Sequence, residues 1–500
     1  MKQKTYTFLI FVLLSFFLIA CYNEENEIDI NTIKIYNNID DSYEEYTLND
    51  NEFNISDLPT YSDNNRYLKG YSLTDNGKLI KEYKTLNTKD NNTIYAIFGI
   101  EKGSFKIGSI PTIYINSSEE IKSKKTYVSA NISIQENGFY TMQETDVNIR
   151  IRGNSSSGVA KKSFKLKFEK KIDMFGMGKD KEWALIANYF DPSHLRNFYA
   201  YKLAKLMGME YAVDCQFVNV YLNNSYQGLY LFTETVKTSS NRVDIEVDYT
   251  QDDYDIPFML ELDYKLEENN PNYMDTLDIE FFFVDNTKYS GRTFQYATHY
   301  PKYLTTDYIT TKQYEFIKKY MNNTYESVSI GTYNNYIDLE SFIDYFLIQE
   351  LFMNIDQEHS SVYVYRKQYG KLQFGPIWDF DLSTGNCSYV YNYNPYHSMK
   401  QLTGGNYLFS TLINDKKVHD LFIERLKEIE NDIILDMLDS FEHNYSQLAL
   451  LQQQDNAKWK TLNQSNWARP DYLTTLTYKE QVMYLKNYLS EHYYWMIKNM

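Results

Sequence analysis

A helix and a tight antiparallel hairpin, predicted between residues 338 and 386, determine how the acidic loops of this chain must meet. Asp338 is expected to cap a helix with one apolar side, and this pattern stops near residue 354. Two apolar runs at 362–366 and 371–374 then flank a turn at 368–370, which predicts a hairpin. Because an antiparallel hairpin returns the chain to its starting point, the loops before and after it should lie close together.

Both of these loops carry acids. Asp356 precedes the hairpin, and Asp379 and Asp381 follow it. Three converging carboxylates without a matching cation would repel one another and raise their pKa values, so a hard divalent ion with oxygen ligands, such as Mg²⁺, is expected there. The alternative is that Asp356 and Asp381 only cap turns, as Asp often does.

Two segments with period-two alternation, 147–152 and 162–168, surround a turn rich in Gly and Ser at 152–158. In the second segment the apolar side chains should pack into a core, which turns the polar ones to the opposite face. That polar set is Ser163, Lys165 and Lys167. Free backbone N–H groups of the turn could surround an anion beside the lysines, although a simple solvated face is the other interpretation.

A further helix is expected after Asp191, with Asp191 as its cap, Pro192 at its first position and Gly208 near its end. Arg196 and Asn197 should lie near the start of this helix. The segment 217–232 predicts a hairpin that ends at Glu234, and the C-terminal third of the chain has the apolar stripes of amphipathic helices.

In a kinase catalytic core, a loop with one acid is followed along the chain by a hairpin and then by a metal-binding acid. Here Asp356 and Asp379 are 23 residues apart, and a strand with lysines occurs earlier in the chain. Protein kinases of the familiar type are excluded, because the sequence lacks their glycine-rich loop and their H-R-D and D-F-G motifs.

The N-terminus indicates export. A short basic stretch precedes an apolar run at 8–20 that suits a signal-peptide core and is too short to span a membrane. The residues at 18–21 resemble a bacterial lipobox, so residues 1–20 are expected to be removed and Cys21 to be lipidated. An ordinary secretory signal is the alternative. The acidic stretch 21–29 should form a solvated tether, which predicts an exported protein anchored by lipid to the periplasmic face or the cell surface.

A length of 500 residues predicts two or three domains, and a formal net charge of −17 argues against nucleic acid as a partner. Beyond Cys21 only Cys215 and Cys387 remain. One pair of cysteines is no disulfide framework, so two buried thiols are expected.

Residues 30–100 alternate short apolar runs with turns rich in Asn, Asp and Gly, which predicts a small β-rich module. The sequence GYSLTDNG at 70–77, followed by TIYAIF at 93–98, resembles the internalin-type B-repeat, a β-grasp-like module of bacterial surface proteins. The alternative is a generic spacer that holds the next domain away from the membrane.

Several motifs then occur in order: IRIRGNSS at 149–156, KKSFKL at 161–166, WALIAN at 183–188, Asp191 to Asn197, YQGLYL at 226–231 with Glu234, and GPIWDFD at 375–381. Together they resemble the spore-coat protein H (CotH) kinase-like family over about residues 110–495. The resemblance implies an α+β fold in which residues 110–500 form an atypical protein-kinase-like catalytic domain with a helical C-terminal part. It also implies ATP and Mg²⁺ as cofactors and Ser or Thr of a protein as the phosphoacceptor.

The resemblance further implies roles for individual residues on the nucleotide side. Lys162 and Lys165 would contact the phosphates, with Arg152 nearby. Glu234 would lie at or near the nucleotide cleft.

On the acidic side, Asp356 would be the catalytic-loop acid and Asp379 a metal ligand, while Asp381 is either a second ligand or a turn cap. The family often has Asn five residues after the loop acid, where this chain has Ser361, a weaker ligand for Mg²⁺. Two functions therefore stay open: a surface-anchored kinase-like phosphotransferase, and a catalytically divergent lipoprotein that uses the same fold and an aromatic surface for binding or adhesion.

Overall fold

A computed structural model describes residues 31–39, 42–59, 65–75, 79–80, 84–263, 281–284, 294–301, 309–358, 360–399 and 406–500. The predicted signal peptide, Cys21 and the acidic tether lie outside these residues. The chain divides into two compact units, 1–102 and 103–500, within the stretch that separates the two predicted modules. Helices and strands are both abundant, which confirms the predicted α+β class.

The first unit is built from short strands, and its described part also contains one 3-10 turn at Ile55–Asp57. The strands are β1 Thr32–Asn37, β2 Tyr43–Thr47, β3 Glu52–Phe53, β4 Arg66–Ser72, β5 Leu86–Asn87 and β6 Thr93–Glu101. A four-stranded sheet has the order β2-β1-β6-β4, with β1 and β6 parallel, and β3 pairs with β5. Alternating side chains of these strands, such as Ile94, Ala96 and Phe98, form the core. The β-grasp and B-repeat assignments stay predictions.

The second unit begins with a closed barrel of seven strands. They are β7 Thr112–Ser117, β8 Val128–Glu136, β9 Phe139–Arg152, β10 Ser163–Asp173, β11 Lys179–Ile186, β12 Cys215–Leu222 and β13 Ser225–Glu234. Their order around the barrel is β10-β11-β13-β12-β7-β8-β9. Phe164, Leu166 and Phe168 of β10 are buried in its core, as their alternation predicts, whereas Lys167 is exposed.

A second sheet of the same unit has five strands: β14 Phe258–Leu262, β15 Phe281–Val284, β16 Phe294–Tyr300, β17 Val362–Arg366 and β18 Leu372–Phe374. Their order in the sheet is β15-β16-β14-β17-β18. The last two strands pair antiparallel, with Val364 opposite Phe374, which confirms the predicted hairpin.

The described part of this unit also contains eight α-helices. The cap predicted at Asp338 is confirmed, because its side chain accepts a hydrogen bond from the Ser341 N–H at 3.0 Å. None of the described helices has the length and apolar character needed to cross a bilayer. Cys215 and Cys387 are buried free thiols, as expected. The helices are α1 Arg196–Leu206, α2 Thr311–Ser329, α3 Leu339–Leu351, α4 Tyr407–Asn414, α5 Lys416–Glu428, α6 Leu435–Asp439, α7 Phe441–Trp459 and α8 Tyr478–Asn499, with a π-helical turn at Glu430–Ile434 between α5 and α6.

The predicted start of α1 is wrong. The helix begins at Arg196 rather than just after Asp191, because His194 adopts a left-handed conformation with φ of 62° that interrupts helical geometry. Asp191 still satisfies a backbone N–H of the helix, since its Oδ2 accepts from the Arg196 N–H at 3.0 Å. It therefore caps the helix across an intervening turn.

Candidate active site

A cavity of about 820 Å³ in the unit 103–500 collects most of the predicted site residues. Strands β9 and β10 of the barrel contribute to its lining, and so do the loops on either side of the β17–β18 hairpin. The loops therefore meet as predicted, and Asn354 Nδ2 donates a hydrogen bond to the Asp379 carbonyl oxygen at 3.3 Å between them. Six predicted residues line the cavity: Arg152, Lys165, Asp356, Ser361, Asp379 and Asp381.

The barrel side of the cavity is cationic. Lys165 and Arg150 lie opposite each other on neighbouring strands, and Arg152 follows at the end of β9. Desolvation lowers the pKa of Lys165, and the positive charges of Arg150 and Arg152 add to this effect. Glu182 opposes it through an ion pair in which Lys165 Nζ lies 2.8 Å from Oε2. Because like charges opposite each other on a sheet are destabilising, an anion bound here would relieve repulsion.

Arg152 connects the two sides of the cavity. Its guanidinium lies 5.1 Å from the centre of the Trp378 ring, immediately before Asp379 in the chain. Burial lowers the pKa of Arg152, while Tyr201 and the Asp379 carboxylate oppose the shift. The guanidinium thus stays charged beside the acidic loop, as Arg does in proteins generally.

The Gly/Ser turn supplies part of the cavity lining at residues 153–156. Gly153 has φ of +97°, and a Cβ atom built on it would lie 2.0 Å from the Ser156 hydroxyl, so this position requires glycine. Lys162 lines a separate cavity together with Gln227 and Trp459, and its Nζ donates to the Ser157 carbonyl at 2.8 Å. The structure therefore does not bring Lys162 to the large cavity but places it as a tether of the turn.

The acidic side of the cavity contains a strained backbone. Asp379 is exposed to the cavity and has φ of 66°, a conformation that costs about 1–3 kcal/mol for a residue with a Cβ and that clusters at functional sites. Burial raises the pKa of Asp381 well above its ordinary value, and the carboxylates of Asp379, Asp191 and Asp356 add to the shift. Negative charge is therefore concentrated here, and a cation would lower its energy.

The donor set fits Mg²⁺ better than a metal held by protein alone. In the described part of the chain, no group of three or more Asp, Glu, His or Cys side chains is arranged to hold an ion. Mg²⁺ usually keeps several waters and binds one or two carboxylates together with substrate phosphates. Asp379 and Asp381, facing a cavity with a cationic side for phosphate, match that pattern.

Glu234 lies outside this cavity. It lines a neighbouring one of about 360 Å³, and its Oε1 forms an ion pair of 2.6 Å with Arg242. Burial raises the pKa of Glu234 to about 7, against the opposing effect of Arg242. Among the residues that the structure describes, only the next two, Thr235 and Val236, line both cavities, so Glu234 is near the large cavity without facing it.

Sequence reasoning missed several polar residues of the site. Glu182 forms an ion pair with Lys165, although Glu182 itself does not line the cavity. Glu261 and His299 do line it, with 2.7 Å between Oε2 and Nε2. Asn197 lines it as well, and its Oδ1 accepts a hydrogen bond from the Phe380 N–H at 2.8 Å. Asn197 belongs to the motif from Asp191 to Asn197, so the family resemblance could have indicated it. The pairing of Glu261 with His299 leaves no local pattern, because the two residues are 38 positions apart.

Comparison with known proteins identifies the family. No curated protein matches the chain. The sequence model of the family described as CotH kinase protein matches residues 149–496, which is more than half of the chain and includes every residue that lines the acidic side of the cavity. The chain therefore belongs to the CotH kinase protein family, a kinase-like family.

Proposed function

We propose that this chain is a surface-anchored atypical kinase that transfers the γ-phosphate of ATP to Ser or Thr of a protein with the help of Mg²⁺. The observation that carries the proposal is the single cavity in which the cations Arg152 and Lys165 line one part and the acids Asp356, Asp379 and Asp381 line another. Phosphoryl transfer needs this combination, because catalysis rests on positioning and on electrostatic stabilisation of phosphate charge.

On the nucleotide side, Lys165 and Arg152 would bind the phosphates, and the turn at 153–156 would offer them backbone N–H groups. Lys162 would act indirectly by holding the turn through the Ser157 carbonyl. Glu234 would support the segment that separates the two cavities, since it anchors β13 through Arg242 and the Asp214 N–H.

On the acidic side, Asp379 and Asp381 would bind Mg²⁺, and Ser361 would offer a hydroxyl where relatives often have an amide. A bound Mg²⁺ would neutralise charge on the phosphates during transfer. Asp356 would accept the proton of the acceptor hydroxyl while the new oxygen–phosphorus bond forms. The bond between the γ-phosphorus and the bridging oxygen then breaks, and ADP leaves with that electron pair.

The location rests on the sequence. Lipidation of Cys21 would anchor the chain, with 21–29 as the tether and the first unit, a B-repeat-like or generic spacer, holding the second away from the membrane. A Cys21→Ser variant should appear in the soluble fraction of the cell envelope, and its retention in the membrane fraction would exclude this anchor.

A binding or adhesion function is the second candidate. Ser361 favours it as a weaker ligand, and so do four exposed tyrosines beside the acidic loop, whose exposed fractions are 41–59%. They are Tyr389, Tyr391, Tyr393 and Tyr396.

Calorimetry with ATP separates the two candidates. Wild type should bind ATP in the presence of Mg²⁺, and Asp379→Ala should lose this binding. Asp356→Ala should keep nucleotide binding but lose phosphate transfer to protein, because it lacks the proton acceptor. Asp420→Ala, which removes an exposed carboxylate on α5, is the matched control and should behave as wild type. Absence of ATP binding to wild type at millimolar nucleotide would reject the kinase and leave the binding protein.

A further inference from the structure

The first two residues of α1 reach from the barrel half of the molecule to the acidic loop. Arg196 and Asn197 are both buried, with exposed fractions of 0% and 3%. Neither belongs to the cations or acids of the proposed reaction, yet both make hydrogen bonds to the chain between Asp379 and Thr384.

Asn197 contacts the loop at the peptide between its two acids. Its Oδ1 accepts from the Phe380 N–H at 2.8 Å, and its Nδ2 faces Asn188 Oδ1 at 3.4 Å. Asn188 itself is buried, lines the cavity and has φ of 49°. Asn188 therefore orients the Asn197 carboxamide through Nδ2, and the Oδ1 atom of the same group holds the loop backbone.

Arg196 holds the turn that follows. Its Nε donates to the Ser383 carbonyl at 3.0 Å and to the Thr384 hydroxyl at 2.8 Å, and its Nη2 donates to the Thr384 carbonyl at 3.2 Å. Its Nη1 forms an ion pair of 2.6 Å with Asp191. A guanidinium with rigid, forked donors suits this task better than an ammonium.

The loop needs such support because its backbone is strained at both ends. Asp379 and Thr384 have φ of 66° and 47°, and such conformations persist only where the surroundings impose them. We infer that Arg196 and Asn197 are positioning residues, which hold the backbone of 379–384 so that the Asp379 and Asp381 carboxylates face a metal–phosphate group in the cavity. The metal part of this inference rests on the proposed function, but the positioning of the loop does not.

The test compares Asn197→Ala with Asn444→Ala. Asn444 is equally buried, and its Oδ1 also accepts a backbone N–H at 2.8 Å, from Ile107, but it does not line the cavity. Asn444→Ala should lose at least as much stability in urea as Asn197→Ala, because Asn444 Nδ2 also donates to the Phe105 carbonyl and to the Tyr199 hydroxyl. Hydrogen–deuterium exchange of segment 379–384 should become at least about tenfold faster in Asn197→Ala only, because buried hydrogen bonds govern such protection. Arg196→Lys should show the same effect at 383–384.

A second readout separates positioning from a purely structural role. With ATP present, Mn²⁺ affinity should fall about 10–100-fold in Asn197→Ala, as for other residues that orient metal ligands. Asn444→Ala should leave this affinity unchanged. Equal exchange of 379–384 in the two Asn variants would overturn the inference. If wild type binds no ATP but only Asn197→Ala loses protection, the proposed function fails and the positioning role stands.

Discussion

Lys161, just before β10, and Lys165, within β10, carry the same charge in two different environments. Lys161 has an exposed side-chain fraction of 0% and forms an ion pair of 2.6 Å with the equally buried Asp455 of α7. Lys165 is 23% exposed at the cavity, where its partner Glu182 is 18% exposed. The first pair is sealed inside the fold, whereas the second is accessible to a ligand.

The difference teaches that the surroundings of a lysine, not its residue type, decide whether its charge is sealed inside the fold or reaches a cavity. Asp455 also accepts the Leu229 N–H at 2.9 Å, and Lys161 also donates to the Leu229 carbonyl at 2.6 Å, so the buried pair joins α7 to the barrel. Lys165 instead pairs with Glu182 of the neighbouring strand β11, at a partly solvated position where the proposed phosphate would share its charge.

The largest effect is expected from breaking the buried pair. Asp455→Ala should lower the free energy of unfolding by about 3–5 kcal/mol, because it leaves the Lys161 ammonium buried without its partner. Urea unfolding followed by tryptophan fluorescence measures this loss. Glu182→Ala at the other lysine should cost less than about 1 kcal/mol, since that pair is partly solvated. Equal losses in the two variants would contradict the comparison.

A smaller effect is expected from pH, through His194 beside the buried pair. Burial lowers the pKa of His194 to about 4 from 6.5, and Lys161 adds to the shift. As pH falls, the unfolded state therefore binds a proton at this histidine before the folded state does. The free energy of unfolding that is present above pH 6.5 falls as pH approaches 4, by about 3 kcal/mol at most.

Substitution should remove this part of the pH dependence. His194→Asn keeps a residue that tolerates the left-handed backbone, and it should flatten the fall in unfolding free energy between pH 6.5 and 4. Burial also lowers the pKa of His492 to about 4, so a similar pH dependence of stability should remain in this variant and come from His492. His419→Asn on α5 is the control, and a slope in His194→Asn as steep as in this control would refute the assignment.

The smallest effect on stability is expected at the cavity lysine. Lys165→Met should change the unfolding free energy by less than about 1 kcal/mol but weaken ATP binding about tenfold, because one phosphate contact is lost. Lys167→Met changes an exposed lysine on the same strand and should alter neither quantity much. Calorimetry checks both, and equal ATP affinity in the two variants would remove the functional half of the comparison.

Much of the site could be predicted from local patterns. The Asp338 cap and the paired strands β17 and β18 were recognisable because turn chemistry and period-two alternation act over a few residues. That hairpin then brought Asp356 and Asp379 to one cavity. Lys162 was assigned to the phosphates by family resemblance alone, although the alternation of β10 places it on the side of Phe164, opposite to Lys165.

The sequence by itself indicated the family, the strand pattern around the Gly/Ser turn and the meeting of the acidic loops. The fold alone decided which charges are buried and paired. Lys161 pairs with Asp455, and Asn197 accepts from the Phe380 N–H 183 residues away in the sequence. Such partners leave no periodic signal, because their contact depends on how whole helices pack against the barrel and not on spacing along the chain.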